Sequence, residues 1–344
     1  MKRFLFLLAF SLLYLLLISC SDQPAEPENT SIWAKVSTLP GTIGLVQIEY
    51  NIIYAACYAA GGDIFVSSSD LGKTWRSSSL GCYTQELGFL EIIDNEGFLS
   101  GTDGLYRSED YGFSWFKDTV LTNYVGSDGR IPCLFAISFK DNEIYLGQLV
   151  STMMDPSYIT GIFKTTNNGN QWYCPDNAPC GIWALACTES NIVVSHLGKI
   201  YYSPDDCETW IEADGEFEQN EQFQEFYKIG SRIFAPTGSQ IYYSDSNGMY
   251  WYNCSDGLPA YNSSDFQYLE VRTLTHSENY LFILRTDGVI YYSSKENIEW
   301  KIFNSELPEK YYWTLFVVDN YLYYSSGNNL CPQDRALLRI LQLG

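Results

Sequence analysis

The sequence predicts an all-β fold, a seven-bladed β-propeller, and three observations support this prediction. Seven tryptophans recur at intervals of about 40 residues, at Trp33, Trp75, Trp115, Trp172, Trp210, Trp251 and Trp300. Six of them end variants of one phrase, S-x-D-x-G-x-T-W. Between the copies lie pairs of short apolar runs typical of β-strands. Such a period indicates an array of supersecondary units, each of which buries its apolar face against a neighbour.

The repeated phrase predicts a tight turn between two strands. Its third residue is usually an acid or amide whose oxygen accepts backbone N–H groups, and its fifth is usually a glycine that supplies φ > 0. The tryptophan returns the chain to the core as a large apolar anchor. The structural residues predicted from these copies are Asp70, Gly72, Trp75, Asp110, Gly112, Trp115, Asn167, Gly169, Trp172, Asp205, Trp210, Gly248, Trp251 and Trp300.

Each unit is predicted to contain an inner, a second and a third strand, followed by the turn and a tryptophan strand. The predicted inner strands are 45–49, 89–93, 134–139, 182–187, 226–229, 271–275 and 313–318. The predicted second strands are 53–58, 97–101, 143–146, 192–195, 232–235, 280–284 and 321–325. The predicted third strands lie just ahead of the turns, at 64–66, 104–106, 161–163, 200–202, 241–243 and 290–292.

The last unit has no copy of the phrase, and its third strand is predicted at 337–342. Trp33 begins the chain's first strand without a preceding unit. We therefore predict that residues 33–36 pair with the C-terminal strands, complete the seventh blade and close the ring, because closure removes two exposed sheet edges.

The repeated phrase resembles the Asp-box, or BNR repeat, over nearly all of the chain from Trp33 onward. This repeat occurs in sialidases, photosystem II stability/assembly factors, sortilin-type receptors and some xyloglucan-degrading hydrolases. The resemblance implies a β-propeller in which the boxes are folding devices on the face away from the functional site. The assembly-factor family is the most similar in size and in box pattern.

The N-terminal segment predicts export. Lys2 and Arg3 precede an apolar run, and the sequence ending at Cys20 resembles a bacterial lipobox. Residues 1–19 are thus predicted to be a lipoprotein signal peptide, 20–30 a lipidated cysteine with a flexible tether, and 31–344 the propeller. Ser21 after the cysteine resembles an outer-membrane address, so we expect a periplasmic or surface-facing protein. A plain secretory signal with an incidental cysteine is the alternative.

Charge and cysteine usage narrow the range of partners. The net charge is −21, which argues against nucleic acid or an anionic lipid surface and leaves the lipid anchor as the predicted membrane contact. No CxxC motif is present, and the two histidines, His196 and His276, lie in different units, so neither a metal nor a cofactor is predicted. Cys174 and Cys180 are spaced for a short disulfide loop.

The predicted topology places the long connections on one face and the repeated turns on the other. The long connections are 118–131, 148–160, 213–224 and 253–267. Long loops on a rigid scaffold usually contain binding sites; the alternative is that these loops vary in length without any function. This face is rich in acids and tyrosines, namely Glu86, Asp128, Asp155, Tyr158, Asp176, Glu216, Glu218, Glu221, Tyr261, Asp265, Glu309, Tyr311 and Tyr312.

Paired carboxylates and aromatics on this face suit a carbohydrate, so a sialidase-like or xyloglucanase-like glycoside hydrolase is an alternative function. Arg130-Ile131-Pro132 resembles the R-I-P motif of sialidases, and Arg272 with Arg285 would complete a three-arginine clamp for a carboxylate. Arg130 belongs to a different unit from the other two, and no Tyr–Glu nucleophile pair can be identified. Solvated loops are the competing interpretation of these charges.

Trp183 and Trp313 stand at equivalent positions near the start of inner strands, where Tyr227 and Arg272 are also predicted to fall. They are predicted either to line the channel mouth or to pack between blades. The function we predict is a non-catalytic scaffold that binds a protein or glycan partner through the long-loop face. Its candidate binding residues are Arg130, Tyr158, Trp183, Arg272, Arg285, Glu309 and Trp313.

Overall fold

The computed structural model describes residues 34–39, 41–59, 62–80, 87–101, 104–121, 133–149, 161–219, 221–238, 240–259, 270–304, 312–326 and 337–342. These residues form 28 β-strands in seven sheets. The first strand is β1 (Ala34–Thr38). Sheet 1 then contains β2 (Thr42–Glu49), β3 (Ile52–Tyr58), β4 (Ile64–Ser68) and β5 (Arg76–Ser79). Sheet 2 contains β6 (Leu87–Ile93), β7 (Glu96–Gly101), β8 (Gly104–Ser108) and β9 (Phe116–Lys117).

The next two sheets follow the same order. Sheet 3 contains β10 (Cys133–Lys140), β11 (Glu143–Leu149) and β12 (Ile162–Thr165), and an isolated bridge joins Lys164 to Tyr173. Sheet 4 contains β13 (Ile182–Cys187), β14 (Ile192–His196), β15 (Lys199–Ser203) and β16 (Ile211–Glu212).

The remaining strands build sheets 5 to 7. Sheet 5 contains β17 (Asp214–Gly215), β18 (Tyr227–Ile229), β19 (Arg232–Pro236), β20 (Ile241–Ser244) and β21 (Tyr250–Asn253). Sheet 6 contains β22 (Val271–His276), β23 (Tyr280–Arg285), β24 (Ile290–Ser294) and β25 (Lys301–Asn304). Sheet 7 contains β26 (Tyr312–Val318), β27 (Tyr321–Ser326) and β28 (Leu337–Gln342), with β1 beside β28.

The predicted inner, second and third strands are confirmed, mostly with ends that move by one to three residues. Apart from β1 and β17, the strands of each sheet pair antiparallel in chain order, from the inner strand outward. In sheet 7, Ala34 pairs with Ile340 and Thr38 with Leu337. Trp33 lies outside the described residues.

The apolar core lies between the sheets. Seven clusters of buried side chains each join two consecutive sheets, and one of them joins sheet 7 to sheet 1. Between sheets 4 and 5, for example, Val193 and Ile200 meet Ile233, Tyr242 and Trp251. Neighbouring sheets therefore cover both faces of a strand, which is why the second and third strands carry apolar residues on both sides.

The repeated turn is held by its own side chains. In sheet 2 the carboxylate of Asp110 accepts the N–H and the hydroxyl of Ser114, both at 2.7 Å. Ser108 donates to Asp110 at 2.9 Å and accepts the N–H of Gly112 at 2.8 Å. Asp70, Asn167 and Asp205 accept the corresponding backbone N–H groups in their turns. These bonds, led by those to Thr74, lower the pKa of Asp70 to about 2.

The tryptophans of these turns divide into two groups. Trp172, Trp251 and Trp300 are buried, whereas Trp75, Trp115 and Trp210 are half-buried. The indole N–H groups of Trp115 and Trp251 donate to the carbonyls of Gly112 and Gly248 at 2.9 Å. In sheet 4 the glycine position is taken by Cys207 at φ 73°. There the indole N–H of Trp210 has no acceptor among the described residues.

The connection at 213–224 differs from its prediction as a loop of the binding face. Its strand β17 runs parallel to β21 and pairs Asp214 with Tyr250. Phe217 and Phe223 pack on Tyr242 at ring distances of 5.3 and 5.8 Å. The segment therefore covers the outer edge of sheet 5, where free backbone groups would otherwise be exposed.

Two smaller features also bear on the sequence predictions. Cys180 is a free thiol, so the predicted bridge to Cys174 is not formed. Proximity along the chain does not suffice for a disulfide, because the two Cβ atoms must also have suitable geometry.

Across the described ranges, no helix reaches the length and apolarity that crossing a membrane requires.

Candidate functional site

Six inner strands carry a register shift near their first residues, on the end opposite the turns to the second strands. At five residues before the last residue ahead of each turn, the shifted position holds Gly44, Gly88, Phe135, Trp183, Arg272 and Trp313 in sheets 1, 2, 3, 4, 6 and 7. A bulge re-aims a side chain and ends regular pairing locally. We call these six residues the entrance ring.

The entrance ring has an aromatic segment on two neighbouring sheets. The side chain of Trp183 is 39% exposed, although it belongs to a strand whose other residues are buried. Its ring lies 6.0 Å from that of Phe135, tilted by 52°. Arg272 is exposed on sheet 6. Of Trp313 only the backbone is described, at the equivalent position in β26.

The predicted equivalence of Tyr227 with Trp183 is wrong. Tyr227 pairs with Phe234, two residues before the end of its strand. It is therefore as far from the turn as Gln47, Glu91 and Ser138 are from theirs. Inspection of the sequence missed this because β18 has only three residues. Alignment of the inner strands on their turns would have corrected it, and would also have identified Phe135.

A cavity of about 430 Å³ lies between inner strands of five sheets, in the half of the channel nearer the turns. It is lined by Glu91, Ile137, Ser138, Phe139, Leu185, Ala186, Phe226, Tyr227, Lys228, Ile229, Leu274, Thr275 and His276. No sequence signal marks this site, because its polar residues come from different units with no common motif.

Glu91 is the acid of this cavity wall. Its side chain accepts a hydrogen bond from the Gln47 amide at 3.0 Å, and the same amide donates to the Ile92 carbonyl at 2.9 Å. The side chain is half-buried, with inner strands around it. This enclosure, with a smaller contribution from Glu49, raises the pKa of Glu91 to about 8. At neutral pH the group is therefore mostly protonated and can donate a hydrogen bond.

The other polar groups of the cavity are held by the protein. The Lys228 ammonium donates to the Cys187 carbonyl at 2.9 Å. Enclosure lowers the pKa of His276, and Lys295 beside it lowers it further. Tyr227 donates to Glu225, and enclosure raises the pKa of both groups. The wall thus combines the Lys228 ammonium with enclosed polar groups, which suits hydrogen bonding to a polar molecule or to water.

The three-arginine clamp finds little support in the described residues. Arg285 is buried, with its Nε 4.0 Å from the Asp287 carboxylate and its guanidinium 5.7 Å from the ring centre of Tyr291. It is thus engaged within its own sheet, whereas Arg272 is exposed. Arg130 lies outside the described residues, as do Tyr158, Glu309 and Cys20.

Three of the four described candidate acids of the loop face lie at the edge of sheet 5 and make hydrogen bonds within the fold. The Glu216 carboxylate accepts the Asn253 N–H at 2.8 Å, and buried Glu221 accepts the Tyr242 hydroxyl at 3.1 Å. Glu218 contributes its backbone N–H to Tyr242, and Asp176 is exposed. Glu86, Asp128, Asp155, Tyr261, Asp265 and Tyr311 fall outside the described residues, and only the backbone of Tyr312 is described. Within the described ranges, no three His, Cys, Asp or Glu side chains are grouped to hold a metal ion.

Comparison with known proteins assigns the fold class. No protein-family model matches the chain, and no curated protein matches its sequence significantly. YCF48 from Cyanidioschyzon merolae matches 89% of this chain and 98% of its own, with a TM-score of 0.58 and 12% identity. YCF48 bound to D1 peptide matches 94% of this chain and 100% of its own, with a TM-score of 0.59 and 16% identity.

A third similar structure is PorZ, a surface component of the type-IX secretion system of Porphyromonas gingivalis. It matches over 91% of this chain but 38% of its own, with a TM-score of 0.59 and 11% identity. At such identities the likeness concerns the fold alone. The chain is an all-β protein of the β-propeller class.

Proposed function

We propose that this chain is an exported, non-catalytic binding protein of the Asp-box type, which holds a protein partner at the entrance ring. The observation that carries the proposal is the exposed Trp183, with the half-buried Phe135 beside it, at the end of the channel from which the long connections leave. Exposed tryptophan at a rigid site is typical of binding hot spots. YCF48 has been solved with a D1 peptide bound, which makes a peptide segment a reasonable partner class.

The proposal includes a seven-bladed ring closed by the N-terminal strand. Seven sheets, the cluster between sheets 7 and 1, and the pairing of β1 with β28 support it. An experimental structure in which β1 leaves β28, or in which a different number of sheets forms the ring, would contradict this part.

Binding is favoured over glycoside hydrolysis by the cavity wall. Among the described residues that line the cavity, Glu91 alone carries a carboxyl group. Hydrolysis of a glycoside normally needs two carboxyl groups facing each other across the bond. Binding of a glycan without hydrolysis remains an alternative, and it is tested together with binding of a protein partner.

We expect Trp183→Ala to weaken partner binding about tenfold or more while the protein remains folded. The matched control is Tyr173→Ala, since Tyr173 is also an exposed aromatic but lies at the outer edge of sheet 3. Proteins retained by each immobilised variant from solubilised envelope would be quantified by mass spectrometry, with a glycan array in parallel. Equal retention by the wild type and both variants would show that the entrance ring is not the binding site.

We further propose lipidation at Cys20 after removal of residues 1–19, with anchoring at the outer membrane. The motif around Cys20 and the polar segment after it support this address. Mass spectrometry of the native N-terminus should find a diacylated or triacylated cysteine as the first residue. An intact Met1, or an unmodified Cys20 in membrane fractions, would contradict it.

A further inference from the structure

Tyr50 occupies a backbone conformation that tyrosine disfavours. The two-residue turn between β2 and β3 has φ 48° at Tyr50 and 60° at Asn51. The same turn in sheets 2, 3 and 7 begins with Asp94, Asp141 and Asp319, at φ 51° to 54°. Aspartate and asparagine tolerate this left-handed region, whereas a bulky residue there is an outlier.

Packing offers no compensation for this strain. The Tyr50 side chain is 76% exposed, the largest exposure among the large hydrophobic residues of the described ranges. Residues held in sparsely populated backbone conformations cluster at functional sites. Tyr50 therefore points to a role outside the fold.

A second exposed tyrosine stands next to this turn. Tyr111, in the repeated turn of sheet 2, has φ 60° and is 46% exposed. Its N–H donates to the Asn95 carbonyl at 2.9 Å, so it is fixed beside the turn that contains Asp94. At the same position of sheet 1, Leu71 has φ 61° but packs against the apolar cluster between sheets 7 and 1. Tyr111 gains no such burial.

Carboxylates complete this group. The Tyr50 hydroxyl lies 3.4 Å from the Asp94 carboxylate, and Glu49 precedes Tyr50 in the chain. Asp94 raises the pKa of the Tyr50 phenol most, followed by Glu49, with Tyr111 a smaller contributor. The pKa of Glu49 is raised by burial and then by Asp94. Neither shift has a cationic cause, so the four groups share a negative environment.

We propose that Tyr50, Tyr111, Asp94 and Glu49 bind the basic side chain of a protein partner, a lysine or an arginine. Tyrosine faces attract cations, and a carboxylate adds charge-assisted hydrogen bonds. The net charge of −21 would speed the approach of a basic segment. The site lies on the turn side of sheets 1 and 2, at the opposite end from the entrance ring, so it can fail or succeed independently of the proposed function.

The test uses the full chain and a tetra-arginine peptide amide, with affinity measured by calorimetry and stability by thermal unfolding. Tyr50→Asn should weaken peptide binding about tenfold, because both the ring and its contact with Asp94 are lost. The same change should raise Tm by about 1–3 °C, since asparagine accepts the left-handed backbone. A substitution that raises stability and weakens binding cannot be explained by a structural role of the residue it replaces.

Two further variants separate the proposal from general charge attraction. Tyr50→Phe keeps the aromatic face and should bind within about threefold of the wild type. Asp141→Asn removes an acid from the matching turn of sheet 3, where no tyrosine stands, and should leave the affinity unchanged. Wild-type affinity in Tyr50→Asn, equal weakening in Asp141→Asn, a lowered Tm in Tyr50→Asn, or binding of neutral oligosaccharides in place of the peptide would each overturn the proposal.

Discussion

Replacing Trp251 with alanine should lower the free energy of unfolding by about 3–5 kcal/mol, the range for removing a fully buried large aromatic. Trp251 has no exposed surface, and its ring stacks on Phe226 at 5.6 Å. Its indole N–H donates to the Gly248 carbonyl at 2.9 Å, so the change leaves a buried acceptor unpaired as well as a cavity. Denaturant unfolding followed by far-UV circular dichroism measures the loss.

The control for this change is Trp183→Ala, because Trp183 is 39% exposed. It should lose less than about 1 kcal/mol. The contrast separates the folding tryptophans of the repeated turns from the tryptophan of the entrance ring. Similar losses in the two variants would mean that Trp183 is a packing residue, and the proposed binding site would lose its main support.

Gly112→Ala should also be strongly destabilising, with a loss of about 3 kcal/mol or more from strain and overpacking together. Gly112 has φ 80°, and a Cβ there would lie 2.4 Å from ring atoms of Phe65 in sheet 1. The turn of sheet 2 is thus seated directly on the neighbouring sheet. Chemical denaturation of the purified variant gives the value.

Gly230→Ala provides the matched comparison, since Gly230 has φ 62° and a Cβ added there would meet no atom within 4 Å. This variant has the backbone strain without the steric clash, so its free energy of unfolding should fall by about 1–2 kcal/mol. The difference between the two variants measures the contact between the repeated turn and its neighbouring sheet. If both variants lose the same free energy of unfolding, the Phe65 ring can move aside for the added methyl group. The turn then contributes less to packing than the short distance indicates.

Much of the fold was predictable from the sequence, because each unit repeats the same local signals. The strand from Ile182 to Cys187 and the strand from Leu337 to Gln342 were predicted with their observed ends. The first is an apolar run bounded by Gly181 and Thr188, the simplest case for such reasoning, and the second is rich in leucine and isoleucine. The repeated turns were equally predictable, since few residue types can take the conformational roles of Asp110 and Gly112.

The site was less predictable, since it depends on register and on contacts between units. Tyr227 was misplaced because nothing in a three-residue strand fixes its level in the channel. Glu91 was missed because its raised pKa comes from enclosure by other strands, which the sequence around it does not encode. The connection containing Phe217 was predicted as a loop, since the single parallel pairing of β17 depends on a strand later in the chain.

That parallel strand also distinguishes one repeat from the others. A chain built of similar hairpins can pair the wrong units while it folds, a characteristic failure of repeat proteins. Phe217 and Phe223 pack on Tyr242, and the Glu216 carboxylate accepts the Asn253 backbone N–H, so the segment is fastened to the last two strands of sheet 5. Among the described sheets, sheet 5 alone has its outer edge covered by such a parallel strand, so a strand of another unit could pair there only after this segment had detached.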